Sequence, residues 1–124
     1  MVANLYAFTA GVGGGGSPDS VPHHGQVTAV PTDAETTVVS YVVPVGYRFK
    51  LLGLIVTGSA NAEWIVYDNT DEVYRTRTSS AERGKEVLHG SAIGFDTGHT
   101  VAVKAVHEET RVQNFYATLL GYDG

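Results

Sequence analysis

Residues 63–78 read EWIVYDNTDEVYRTRT. Two runs rich in β-branched and aromatic residues, 63–69 and 72–78, flank a short polar connection at Thr70-Asp71. That pattern predicts a β-hairpin. Arg75 and Arg77 stand two positions apart, so their side chains share one face of the second strand.

Working outward, the same grammar repeats on both sides. Toward the C-terminus, SSAERG (79–84) is a polar loop, and KEVLHGSAIGF (85–95) holds one or two short strands broken by Gly90. DTGHT (96–100) turns the chain. TVAVKAVH (100–107) then alternates, with Val101, Val103, Ala105 and His107 on one face. After EET (108–110), RVQNFYATLLG (111–121) is the last long strand. Toward the N-terminus, GSANA (58–62) is a loop preceded by YRFKLLGLIVTG (47–58). There Tyr47, Phe49 and Leu51 are expected to form a buried face, alternating with Arg48 and Lys50. The Leu51-Leu52 pair breaks the period, which predicts a bulge near Gly53. TTVVSYVV (36–43) closes at Pro44-Val45-Gly46 and is expected to form a hairpin with 47–58. QVTAV (26–30) ends at Pro31.

About eight strands at regular spacing, with no amphipathic helix, predict an all-β antiparallel β-sandwich of jelly-roll type. An immunoglobulin-like sandwich is the competitor; it commonly carries a Cys pair around a Trp, whereas Trp64 here stands in a chain without cysteine. The expected division is an extended N-terminal arm with a Gly-rich hinge, residues 1–25, and a sandwich domain, residues 26–124.

Composition narrows the function. The 124 residues suit one domain. Lys+Arg is 8 against 13 Asp+Glu, and no Lys or Arg precedes Arg48, which argues against nucleic acid as a partner. The absence of Cys excludes disulfides, thiol nucleophiles and Cys-based zinc sites. No apolar stretch of about 18 residues is present, so no membrane-spanning helix is expected. The N-terminus lacks the basic start of a signal peptide. The glycines of AFTAGVGGGGSPDS (7–20) are followed by neither Lys nor a helix, so they do not form a phosphate loop.

Chemistry-bearing residues are sparse. His23 and His24 are adjacent and point to opposite sides of an extended chain, and no spacing among His89, His99 and His107 demands a metal. Asp68-Asn69-Thr70-Asp71 offers oxygen ligands, but a hairpin turn accounts for the same residues. There is no G-x-S-x-G elbow. No catalytic residue, metal or cofactor is therefore expected, and the chain is not expected to be an enzyme. Trp64, Tyr47, Phe49 and Phe115 are expected in the core, although exposed rings on a sandwich can also bind sugars. Arg75, Arg77 and Arg83 form the one basic cluster, explained either by pairing with Glu63, Glu72 or Glu82 or by a subunit contact.

Several of these features also carry a resemblance. They are the Pro44-x-Gly46 turn, the alternating strand from Tyr47 to Gly53, Trp64, and Arg77 to Ser79. Late in the chain come Gly98 to Lys104 (with His99 inside) and Phe115 to Gly121. Together these resemble small β-sandwich virion proteins of tailed bacteriophages, of the capsid cement or decoration type. The resemblance covers about residues 36–121. It implies a jelly-roll-like body, often trimeric, on the capsid surface, with the major capsid protein and copies of itself as partners and no catalytic residues. Outside the match, Leu5, Tyr6 and Phe8 are expected to act as apolar anchors on the arm. A carbohydrate-binding module and a tail or head–tail connector protein are the alternatives.

Overall fold

A sheet face with one apolar side is stable only against another such face, and the alternating runs find theirs in one another. The computed structural model describes residues 23–58, 61–79 and 82–124. Within these, the chain forms eight strands: β1 (His23–Val30), β2 (Thr36–Val42), β3 (Phe49–Thr57), β4 (Ala62–Asp68), β5 (Asp71–Thr78), β6 (Gly84–Phe95), β7 (Thr100–His107) and β8 (Gln113–Asp123). They make two four-stranded sheets, ordered β1-β8-β3-β6 and β2-β7-β4-β5.

The pairing is nested. β4 pairs with β5, β3 with β6, β2 with β7 and β1 with β8, all antiparallel. The chain is thus one long double ribbon whose tip is the 63–78 hairpin, rolled so that successive pairs fall in alternate sheets. That is the jelly roll. Connections β1–β2, β3–β4, β5–β6 and β7–β8 gather at one end of the sandwich. The links β2–β3, β4–β5 and β6–β7 gather at the other, here called the hairpin end.

Between the sheets lie Phe49, Leu51, Leu54, Trp64, Val66, Phe95, Val103, Phe115 and Leu119, all fully buried. Each contributes about 1.5–3 kcal/mol of hydrophobic stabilisation before chain entropy is counted. Trp64 packs edge-on against Phe115 at 5.0 Å between ring centroids. Its indole N–H, with no water to meet, donates to Thr78 Oγ1 at 3.1 Å.

The expected bulge is present. Register shifts between Leu51 and Gly53 against both neighbours, and against β8 this leaves Leu52 as the extra, exposed residue. The 85–95 run is a single strand, with an irregularity where Leu88 and Ile93 flank four residues that face only Leu52.

Three expectations are corrected. Strands 36–43 and 47–58 do not form a hairpin, since β2 and β3 lie in opposite sheets. The reason is in the turn. Tyr47 N–H donates to Pro44 O at 3.1 Å, and Gly46 sits at the third position with φ 89°. A positive φ there is a type II turn, whose twist splays flanking strands instead of pairing them. Secondly, Tyr47 is 37% exposed and not a core residue. Thirdly, β1 starts at His23, three residues before the 26–30 run, because Gly25 allows close approach to β2. A Cβ on Gly25 would stand 2.1 Å from Val38 O.

Candidate interaction site

At the hairpin end, three turns are locked together by their own polar groups. Val43 N–H donates to His99 O, and Gly98 N–H donates to Val43 O, both at 2.9 Å. The Thr97 hydroxyl accepts from Gly46 N–H at 3.0 Å and donates to Pro44 O at 2.8 Å. Asn69 Oδ1 accepts from Thr100 N–H, and His99 Nδ1 lies 2.7 Å from Asp68 Oδ1. Arg48 joins Asp96 at 3.0 Å and exchanges backbone hydrogen bonds with Gly124. The turn backbone is therefore fixed from several sides.

What this scaffold presents is apolar. Val45 stands at the turn apex and is 89% exposed, with Val42 at 61% and Tyr47 at 37% beside it in the chain. Single exposed apolar residues are ordinary. Here three fall within six positions on a backbone already held in one conformation, so any partner they met would find side chains whose backbone has little entropy left to lose.

Arg75 and Arg77 project from β5 on the outer face of the second sheet. Arg75 bonds Glu63 at 2.6 Å and Glu72 at 2.7 Å. Arg77 bonds Glu108 at 2.6 Å and reaches Glu63 at 3.5 Å. The Arg75 hydrogen bond holds the Glu72 carboxyl below its ordinary range, and bonds to Glu72 and Glu63 raise Arg75. Beside them Lys104 spans Glu35 and the Tyr67 ring. Pairing with Glu63 and Glu72 follows the sequence expectation; Glu82 instead meets Lys85 at 3.7 Å. The three cations of this face are all paired with carboxylates. Arg83 is not part of this group but lines a cleft with Arg111 among the connections at the opposite end. Leu5, Tyr6 and Phe8 lie outside the described residues.

The histidines take separate roles. His23 stacks on Tyr41 at 3.8 Å, and the Tyr41 hydroxyl donates to Asp123 Oδ2. Burial holds the His23 imidazole below its ordinary pKa, against a smaller raising effect of Asp123. His24, facing the other way, meets Thr118 Oγ1 at 2.9 Å. His99 and His107 bracket β7, about 26 Å apart at 3.3 Å per residue, so they cannot share a metal. Asp68 Oδ1 and Asn69 Oδ1 are engaged by His99 and Thr100.

Trp64 is fully buried and cannot serve as a sugar platform. Tyr116 can: it is 43% exposed on the outer face of the first sheet, at a cleft of about 280 Å³ shared with His24, Gln26 and Thr118. Sequence reasoning did not single out Val45 as an exposed apolar side chain, although a Val at the apex of a Pro-x-Gly turn was the available signal. It also missed Arg111, because only the fold brings 83 and 111 together. Comparison with protein-family models finds no match, and no curated protein matches the chain.

Proposed function

We propose that this chain is a non-enzymatic structural protein of a tailed-phage virion, a capsid cement protein that binds the assembled lattice as a homotrimer. The observation that carries the reading is the rigid apolar turn, with Val45 89% exposed on a hydrogen-bonded scaffold. It supports a binding role because a preformed apolar projection suits a pocket in a neighbouring subunit. The uncharged sequence around Leu5, Tyr6 and Phe8, N-terminal to the glycine run, offers a second set of apolar anchors. A ligand that binds only the assembled state stabilises that state by mass action.

The test is cosedimentation of purified protein with undecorated capsids, using the full chain, a chain lacking residues 1–16, and V45D. Full-length protein is expected in the capsid pellet, and V45D in the supernatant with unchanged thermal stability. Full-length protein that stays in the supernatant rules out the cement role. Solution mass separately tests the trimer. The carbohydrate-binding alternative rests on Tyr116, and predicts glycan binding that is lost in Y116A.

A further inference from the structure

The chain has eight Lys and Arg residues against 13 acidic ones, so carboxylates are in excess. Six of the eight basic residues have an acidic or aromatic partner: Arg48 with Asp96, Lys50 over Tyr122, Arg75 and Arg77 with glutamates, Lys85 with Glu82, and Lys104 with Glu35 and Tyr67. Among the described residues, the two without one are Arg83 and Arg111, and both line the same cleft. This cleft, about 320 Å³, is completed by Glu109, Thr110 and Gln113. Two cations left unpaired in an acidic protein, converging on one concavity, are a ready anion receptor.

The rim is held in place. Arg83 O accepts from Gly58 N–H at 3.1 Å. Arg111 O accepts from Gln113 Nε2 at 3.1 Å. Glu109 N–H donates to His107 Nδ1 at 3.1 Å, and the Thr32 hydroxyl donates to Glu109 O. We propose that this cleft binds the carboxylate of a small hydroxylated acid, of the sugar-acid class. Three properties select that class. Two arginines and one glutamate leave a net charge of +1, which matches a monoanion better than a phosphate dianion. Guanidinium forks fit a planar carboxylate. The lining is polar throughout, and its volume is at the small end of ligand sites, so it suits hydroxyls and not an apolar chain.

The experiment uses the isolated full chain and does not depend on a virion role. Arginine side-chain NMR signals are followed while glucuronate, glucose, acetate or phosphate is added at constant ionic strength. Glucuronate is expected to shift Arg83 and Arg111 together and saturably, glucose not at all, and acetate more weakly. R83A and R111A should each weaken glucuronate at least about tenfold, as should R111K by losing the fork, while R48A should bind normally. Absence of saturation, insensitivity to either arginine, or phosphate binding as tight as glucuronate overturns the assignment. Since all these variants change exposed side chains, their unchanged thermal transitions distinguish lost binding from lost folding.

Discussion

Replacing His107 by Leu tests how the fold handles a fully buried imidazole. The ring is 0% exposed at the end of β7. Nε2 lies 2.7 Å from Val30 O, and Nδ1 lies 3.1 Å from Glu109 N. A carbonyl can only accept and an amide N–H can only donate, so the ring is neutral and carries its proton on Nε2. Leucine supplies neither group. Val30 is 1% exposed, so orphaning its carbonyl costs about 1–3 kcal/mol. Glu109 is only half-buried, so its N–H can turn to water and loses about 0.5–1.5 kcal/mol. The edge contact of His107 with Phe115, at 5.6 Å, adds about 0.5–1.5 kcal/mol. Leucine's greater hydrophobicity offsets part of this, leaving an expected loss of about 2–4 kcal/mol. At about 4–8 °C per kcal/mol, the transition should fall by about 8 °C or more. Urea unfolding at pH 7.5 reads the free energy, and hydrogen exchange at Glu109 reads the local cause. A loss below about 0.5 kcal/mol, or unchanged exchange at Glu109, refutes the reasoning.

Other perturbations follow from the same geometry. G25A drives a methyl to 2.1 Å from Val38 O and should cost about 1–3 kcal/mol or more by equilibrium unfolding; a stable G25A would mean that β1 does not sit this close to β2. T78V leaves the Trp64 N–H unsatisfied in the core and should cost about 1–3 kcal/mol, with altered Trp fluorescence. His23 binds its proton less readily folded than at its ordinary value of 6.5. The unfolded chain therefore takes up the proton first, and stability is full above that pH and falls as pH drops through it. H23F keeps the stack on Tyr41 and should abolish this limb; identical pH profiles for the two proteins would exclude the mechanism.

Local chemistry made the strands legible, and long-range pairing did not. The period-2 runs, the extra residue at Leu52 and the 63–78 hairpin are written in adjacent residues, so they can be read without a structure. Sheet membership depends on partners such as His23 and Leu119, nearly the whole chain apart, and no local pattern encodes that. The mistaken β2–β3 hairpin is instructive. Proximity in sequence favoured pairing, yet Gly46 at the third turn position already pointed to a type II turn that parts the strands. Gly25 looked like arm because glycine in a polar segment reads as flexibility, whereas here it is required by a backbone contact. Arg83 was grouped with Arg75 and Arg77 by sequence distance, but the jelly roll sends the β5–β6 connection to the same end as the β7–β8 connection, beside Arg111.

That arrangement separates the two proposed contacts in space and in chemistry. The apolar turn at Val45 and the cationic cleft at Arg111 lie at opposite ends of strands such as β7, about 26 Å apart at 3.3 Å per residue. Each end is fixed by its own hydrogen bonds, so a surface substitution at one should leave the other intact. V45D should therefore abolish capsid binding while glucuronate still shifts Arg83 and Arg111. R111A should lose glucuronate and still pellet with capsids. If R111A instead releases the protein from capsids, the cationic end belongs to the lattice contact, and its natural carboxylate is an acidic side chain of the neighbouring subunit. If V45D pellets normally, the exposed turn is not the contact, and the anchoring must come from elsewhere in the chain.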